Sequence, residues 1–276
     1  IGGYSAAVRA AQLGKSVALV GEDKLGGTCL HQGCIPSKAY LRSAELYNKM
    51  THSEAYGIQA QDVSLDFTGV IRRKQTIVDQ LHQGVESLMK GHHIDVYRCR
   101  GRVMGPSIFS PQSGAIALDT EDEDEPTLLP KRLIIATGSS PAELPGLPTD
   151  GKRILNSDQA LSMEQLPASI IIVGGGVIGV EWASMLNDFG VDVTIIETLP
   201  RLAGSEDEQI SRELERQLKT RGVKVWTEAQ LQMDSVQLKE NSVQLEAIHN
   251  DQLVSVEAEQ VLVSVGRSPN SQHLGL

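Results

Sequence analysis

Residues Ile170–Glu197, IIIVGGGVIGVEWASMLNDFGVDVTIIE, decide the fold. A short β-branched run, Ile170 to Val173, enters Gly174-x-Gly176-x-x-Gly179. A helix-like stretch continues to Gly190, and a second apolar run ends in Glu197. Strand, glycine turn, helix and strand in that order make a βαβ unit, the setting in which this glycine pattern becomes a strong signal. The glycines allow a tight turn and a close approach of backbone N–H groups to a pyrophosphate, where the helix N-terminus adds partial positive charge. Gly174, Gly176 and Gly179, with Val177 and Ile178 between them, are therefore candidate dinucleotide contacts. Glu197 lies 23 positions after Gly174, placed to accept hydrogen bonds from both ribose hydroxyls, which favours NAD over NADP. Arg201, four residues further on, is too distant to cradle a 2′-phosphate. The plainer alternative is a glycine-rich turn with no ligand.

Moved back by 176 positions, the same unit aligns without a gap on GGYSAAVRAAQLGKSVALVGED, which starts at Gly2. Gly3 matches Gly179, Ala7 matches Ala183, Gly14 matches Gly190 and Val17 matches Val193. A second fingerprint thus begins the chain, and its first strand and first two glycines are expected to lie ahead of Ile1. The position equivalent to Glu197 is Gly21, with Glu22 beside it, so a ribose-binding carboxylate there is displaced by one residue or absent. The expected fold is α/β, with two Rossmann-like dinucleotide-binding domains, the second inserted in the first. Residues 1–144 are expected to form the first domain, 145–265 the second, and 266–276 the start of the return. The proline-rich PAELPGLPTDG marks the linker between them.

The remaining composition narrows the function classes. The chain has 276 residues and a net charge of -10, which argues against a nucleic-acid or acidic-membrane surface. No apolar run approaches the roughly 18 residues of a membrane span. Because the chain starts at Ile1, a targeting peptide is not readable from it. The acidic Thr120–Thr127 reads as a solvated hairpin tip, and residues 208–222 as an amphipathic surface helix.

Two of only three cysteines, Cys29 and Cys34, sit five residues apart in GGTCLHQGCIPSK. Zinc needs about four ligands, and only His31 is near them, so no metal site is expected. Three cysteines are too few for a secreted disulfide framework, and in a reducing compartment a disulfide is more often catalytic than structural. Five residues of ideal helix rise ~7.5 Å, beyond the roughly 7 Å limit for bridged Cα atoms. A bridge therefore requires a distorted segment, which Gly33 and Pro36 are placed to supply. Cys34 precedes a helix N-terminus, where partial positive charge favours a thiolate, and Lys38 adds an ammonium. Cys99, in VYRCRGRV, reads as structural.

In order along the chain, GGYSAAVRAAQLGK, GGTCLHQGCIPSK, LIIATGSSP, VGGGVIGVE and VGRSPN resemble the flavin-dependent pyridine nucleotide–disulfide oxidoreductases over essentially all the chain. Within that family the likeness is to the dihydrolipoyl dehydrogenase branch, the E3 component of 2-oxoacid dehydrogenase complexes. The resemblance implies FAD on the first domain, NAD on the second, and oxidation of dihydrolipoamide through a Cys29–Cys34 disulfide. Cys34 would be the flavin-proximal thiolate and Cys29 the interchange thiol. Lys38 would sit by the flavin and pair, in a buried site, with Glu181. Gly3, Glu22, Gly27, Thr28, Gly101, Ala136, Thr137 and Gly138 would contribute flavin contacts, the last three on a buried returning strand. Leu231 and Gly266 complete the implied cofactor set. The implied partners are the lipoyl domain of an E2 acyltransferase and a second copy of the chain, and the implied location is the bacterial cytoplasm. The family's catalytic histidine, dimerisation domain and flavin-binding Gly-Asp motif are expected beyond Leu276, leaving this stretch inactive alone. Glutathione reductases are similar but carry basic residues at the position of Glu197, and mercuric reductases need further cysteines. A non-catalytic nucleotide-binding fragment is the alternative from another class.

Overall fold

The computed structural model describes residues 1–105, 114–120, 127–272 and 274–275. They form two compact units, one of Ile1–Cys34, Ile77–Ser140 and Pro269–Leu276, the other of Ile35–Thr76 and Pro141–Ser268. Most of the acidic segment, residues 121–126, and His273 fall outside the described residues.

In the first unit, α1 (Gly2–Gln12) is followed by β1 (Ala18–Val20), α2 (Gly27–Gln32) and the first residue of α3 (Cys34–Thr51). After the later part of α4 (Phe67–Gly91) come β2 (Asp95–Tyr97), β3 (Arg100–Met104) and β4 (Ala115–Asp119). β1 pairs with β2 in parallel, and β3 with β4 antiparallel. Gly14, at φ 72°, ends α1 in the left-handed region that glycine adopts most cheaply, letting Lys15 N–H return to the Ala10 carbonyl at 3.1 Å. Cys99 is buried at the bend between β2 and β3, as a structural residue should be.

One expectation fails in this unit. LIIATGSSP does not form a buried strand: only its end, β5 (Ser139–Pro141), is extended and paired, while Leu133, Ile134 and Ile135 are exposed. A central strand needs a neighbour on each side. Among the described residues no strand pairs with 133–138.

The second unit is built on a five-stranded parallel sheet. Its elements are β6 (Ile154–Asn156), α5 (Ser157–Ala160), β7 (Ser169–Val173), α6 (Val177–Asp188), β8 (Asp192–Ile196), α7 (Glu208–Thr220) and β9 (Lys224–Trp226). A meander of β10 (Gln230–Leu238), β11 (Val243–His249) and β12 (Gln252–Ala258) then leads to β13 (Gln260–Val263). The sheet order is β6-β13-β7-β8-β9. Ile170, Ile171 and Ile172 of β7 are fully buried, the continuous apolar run of a strand covered on both faces. Side chains alternate across a strand, so Ile170 and Ile172 face Trp182, Leu186 and Leu218, while Ile171 and Val173 face Val243, Leu245 and Ala247 of the meander. The meander's last hairpin turns at Asn250 and Asp251, with φ 52° and 59°, the pair of left-handed residues a type I′ turn requires. α7 carries the charge pairs its sequence announces, Arg216–Glu213 and Lys219–Glu215.

Residues 35–76 belong to this second unit, a placement the 1–144 boundary did not foresee. Tyr40 and Ala44 enter the same core as β7. The Tyr40 hydroxyl donates to the Leu161 carbonyl at 3.2 Å, and the Lys74 ammonium lies 5.6 Å from the centre of its ring. Burial pushes the Tyr40 phenol up to about 12.

Candidate functional site

The site residues expected from sequence fall into two sets, one in each unit. In the second unit the three glycines of the turn have three different reasons to be glycine. A Cβ on Gly174, at φ 104°, would lie 2.6 Å from the Ser264 carbonyl oxygen. A Cβ on Gly179 would lie 2.0 Å from the Gly174 carbonyl oxygen and 2.8 Å from Ser264 Oγ. These two are demanded by packing within the protein. Around Gly176 a Cβ would meet no protein atom within 4 Å, and its φ of -71° suits any residue. Its bare face is open space at the N-terminus of α6, which is what a pyrophosphate needs for close approach. Val177 is exposed beside it, whereas Ile178 packs against the core.

Ser264 is a residue the sequence reading missed. Buried at the end of β13, its hydroxyl lies 3.1 Å from the Val173 carbonyl and 2.9 Å from that of Gly174. It ties the glycine turn to the neighbouring strand. A small polar residue directly after a buried apolar run was the available signal.

Glu197 does not hold its carboxylate free. Oε2 accepts from Gly175 N–H at 2.5 Å and Oε1 from Leu199 N–H at 2.7 Å, so the side chain braces the glycine loop. An ionised carboxylate offers about four acceptor positions, leaving capacity for ribose hydroxyls. Arg201 turns away: its guanidinium donates to the Gly204 carbonyl at 3.0 Å and lies 3.9 Å from Glu208. Leu231 packs on the meander side of the core, and Gly266 is exposed at φ 120°.

Lys38 and Glu181, 143 residues apart, form an ion pair at 2.5 Å. The expected burial is absent, because the Lys38 side chain is 57% exposed and that of Glu181 27%. An exposed pair of this kind contributes roughly 0.2–1 kcal/mol to stability.

The first unit holds the cysteines. α2 stops at Gly33, whose φ of -149° and ψ of -118° break the helix before Cys34 opens α3. Cys34 is thus the first residue of that helix rather than the one before it. A Cβ on Gly33 would lie 3.0 Å from the Thr28 carbonyl and 3.2 Å from Cys29 Cα, so only glycine lets the chain fold back this tightly. The fold-back sets Cys34 beside Cys29, close enough to perturb its ionisation. Cys29 and Cys34 are not bridged in this structure. Burial first, then the neighbouring Cys34, pushes the pKa of the Cys29 thiol up, favouring its protonated form. Cys34 is the more exposed of the two.

Other expected contacts gather nearby in this unit. Gly138 (φ 75°) would place a Cβ 3.8 Å from Thr28 Oγ1 and 3.9 Å from Asn270 Nδ2. Asn270, also missed, donates its Nδ2 to the Thr137 carbonyl at 3.1 Å and accepts from Ser140 Oγ at 3.0 Å. The Thr137 hydroxyl returns a bond to the Asn270 carbonyl at 2.6 Å. Gly27 has φ 67°, and Ala136 is exposed near Gly3, whose added Cβ would make ordinary contact with it at 3.5 Å. Gly101 is glycine for packing, since a Cβ there would come within 2.9 Å of Val20 Cγ1. Glu22 is exposed and lies 3.7 Å from Arg100. Among the described residues no group of three or more His, Cys, Asp or Glu could hold a metal ion, and no helix is long and apolar enough to cross a membrane.

The family "Pyridine nucleotide-disulphide oxidoreductase" matches residues 1–276. The chain is 52% identical to a dihydrolipoyl dehydrogenase of Bacillus subtilis (strain 168) and 38% identical to one of Geobacillus stearothermophilus, in each case over the full chain. It spans 58% and 56% of the length of those relatives. Among solved structures, LpdA from Mycobacterium tuberculosis superposes with a TM-score of 0.87 at 26% identity, covering 99% of this chain and 58% of that one. The HOCl-induced flavoprotein disulfide reductase RclA from Escherichia coli gives 0.77 at 26% identity, covering 98% and 55%.

Proposed function

The chain belongs to the pyridine nucleotide-disulphide oxidoreductase family, and from that premise we propose that the protein carrying it oxidises dihydrolipoamide and reduces NAD, as the E3 component of a cytoplasmic 2-oxoacid dehydrogenase complex. The observation that carries this reading is the Gly33 fold-back, which sets Cys34 beside Cys29. A lipoyl thiolate attacks Cys29 Sγ of the oxidised pair, the Cys29–Cys34 bond breaks, and Cys34 leaves as a thiolate. The second lipoyl thiol then displaces Cys29, giving cyclic lipoamide and the protein dithiol. Bound flavin supplies the two-electron acceptor between this dithiol and NAD. Gly3, Gly27, Thr28, Gly101, Thr137 and Gly138 would hold FAD in the first unit. Gly174, Gly176, Gly179 and Glu197 would hold NAD in the second, with Leu231 and Gly266 beside it. Lys38, held by Glu181, stabilises negative charge where electrons pass. The partners are the lipoyl domain of an E2 acyltransferase and a second copy of the chain.

The test is turnover of the full-length protein with dihydrolipoamide and NAD, in a preparation showing flavin absorbance. Faster NADPH-driven reduction of glutathione disulfide would move the reading to the glutathione reductase branch, and a colourless preparation to a non-catalytic nucleotide-binding protein. Replacing Glu197 with alanine and Thr198 with arginine should shift preference toward NADP, since a carboxylate repels a 2′-phosphate. A parent protein that already binds NADP more tightly removes that specificity argument. Glu181→Gln should slow flavin reduction by NADH in stopped flow while changing NADH affinity less than about twofold. Equal losses in both would make Glu181 a binding residue instead.

A further inference from the structure

Two histidines outside the proposed chemistry converge on one backbone oxygen. His31 Nε2 lies 2.8 Å from the Leu25 carbonyl, and His82 Nδ1 lies 2.9 Å from the same atom. Their rings meet edge to face with centroids 5.2 Å apart, and both residues are half-buried. A carbonyl only accepts, so each nitrogen must carry a hydrogen. When neutral, His31 is the Nε2–H tautomer and His82 the Nδ1–H tautomer. A second proton on either ring leaves its bond to Leu25 in place. The other nitrogen of His82 lies 3.6 Å from Glu86 Oε1, and Glu86 is itself held by Arg98 at 2.6 Å.

The oxygen they share sits at a weak point. Leu25 is followed by Gly26 at φ 118° and Gly27 at φ 67°, two successive left-handed glycines that would otherwise form a free hinge at the base of α2. His31 is in the last turn of α2, two residues after Cys29 and three before Cys34. His82 belongs to α4, a separate helix. The shared carbonyl thus fastens both ends of α2 and ties its base to α4.

We propose that His31 and His82 are positioning residues that clamp α2 through the Leu25 carbonyl, and so set the effective concentration of Cys29 at Cys34. This rests on the reading of the two cysteines as a redox couple. Forming the bridge removes two electrons and two protons from the thiols. Against glutathione disulfide as oxidant, both pass to two molecules of glutathione. The equilibrium constant for that exchange measures how well the fold holds the sulfurs together.

The experiment equilibrates the chain in glutathione buffers, traps thiols by alkylation and quantifies the Cys29–Cys34 bridge by peptide mass. His31→Leu and His82→Leu should each lower the equilibrium constant about tenfold, equivalent to a couple about 30 mV less reducing. His31→Gln and His82→Asn, which keep a donor near the lost nitrogen, should stay within about twofold of the parent. Leu variants that match the parent, or amide variants that fall as far as the Leu variants, overturn the clamp while leaving the redox couple standing. A parent that forms no bridge at any poise overturns both. Should a Leu variant fail to fold, ¹⁵N NMR of the parent decides: the opposite neutral tautomer at either histidine removes the shared bond and the proposal with it.

Discussion

Gly176→Ala is expected to leave the fold as stable as the parent while weakening NADH binding at least about tenfold, or about 1.4 kcal/mol. A Cβ at Gly176 would meet no protein atom within 4 Å, and the backbone there suits alanine, so stability should move by no more than about 0.5 kcal/mol. The added methyl would instead occupy the face across which a pyrophosphate approaches the N-terminus of α6. Gly179→Ala should do the opposite damage. Its Cβ would fall 2.0 Å from the backbone oxygen of Gly174, which cannot swing aside as a side chain can. The forced shift should cost about 2 kcal/mol or more even after alanine's advantage of ~1 kcal/mol in a helix. Thermal unfolding of both variants, with NADH titrated by fluorescence, separates the two effects. Unchanged NADH affinity in Gly176→Ala would mean that the open face is not where the nucleotide lies.

Cys34→Ala should reduce dihydrolipoamide oxidation by the full-length protein to background, since no second sulfur remains to leave and return. In the isolated chain the same change gives a finer reading. Burial is the first cause of the raised Cys29 pKa, and the neighbouring Cys34 comes after it. Removing Cys34 should therefore lower the pH at which Cys29 begins to alkylate, but only part of the way to that of an exposed thiol. In the parent chain at neutral pH, exposed Cys34 should alkylate before half-buried Cys29. Loading with flavin should reverse that order if Cys29 is the thiol that meets substrate. An order that flavin leaves unchanged would exchange the roles given to the two cysteines.

Much of this molecule was legible in the sequence because it rests on local rules. Period and composition placed β7, α6 and β8 around the glycine turn, and a fixed offset exposed the second fingerprint at Gly3 and Gly14. The cysteine spacing required a break, and Gly33 provides it. The ion pair of Lys38 with Glu181 came from the family resemblance, since no local rule links residues 143 positions apart.

Other features were decided only by the tertiary structure. Residues 133–138 have the composition of a buried strand, but a strand is a property of its neighbours, and among the described residues no strand pairs with them. The packing of Tyr40 and Ala44 with the second unit depends on which surface their helix finds, and helical periodicity says only that one face is apolar. The distinct roles of Gly174, Gly176 and Gly179 depend on what surrounds each missing Cβ. Ser264, Asn270 and the two histidines on Leu25 act through backbone oxygens, and every residue has one. Local propensity and pattern therefore determined the elements and the chemistry-bearing motifs, whereas long-range contacts chose the partners of each strand, hydroxyl and ring.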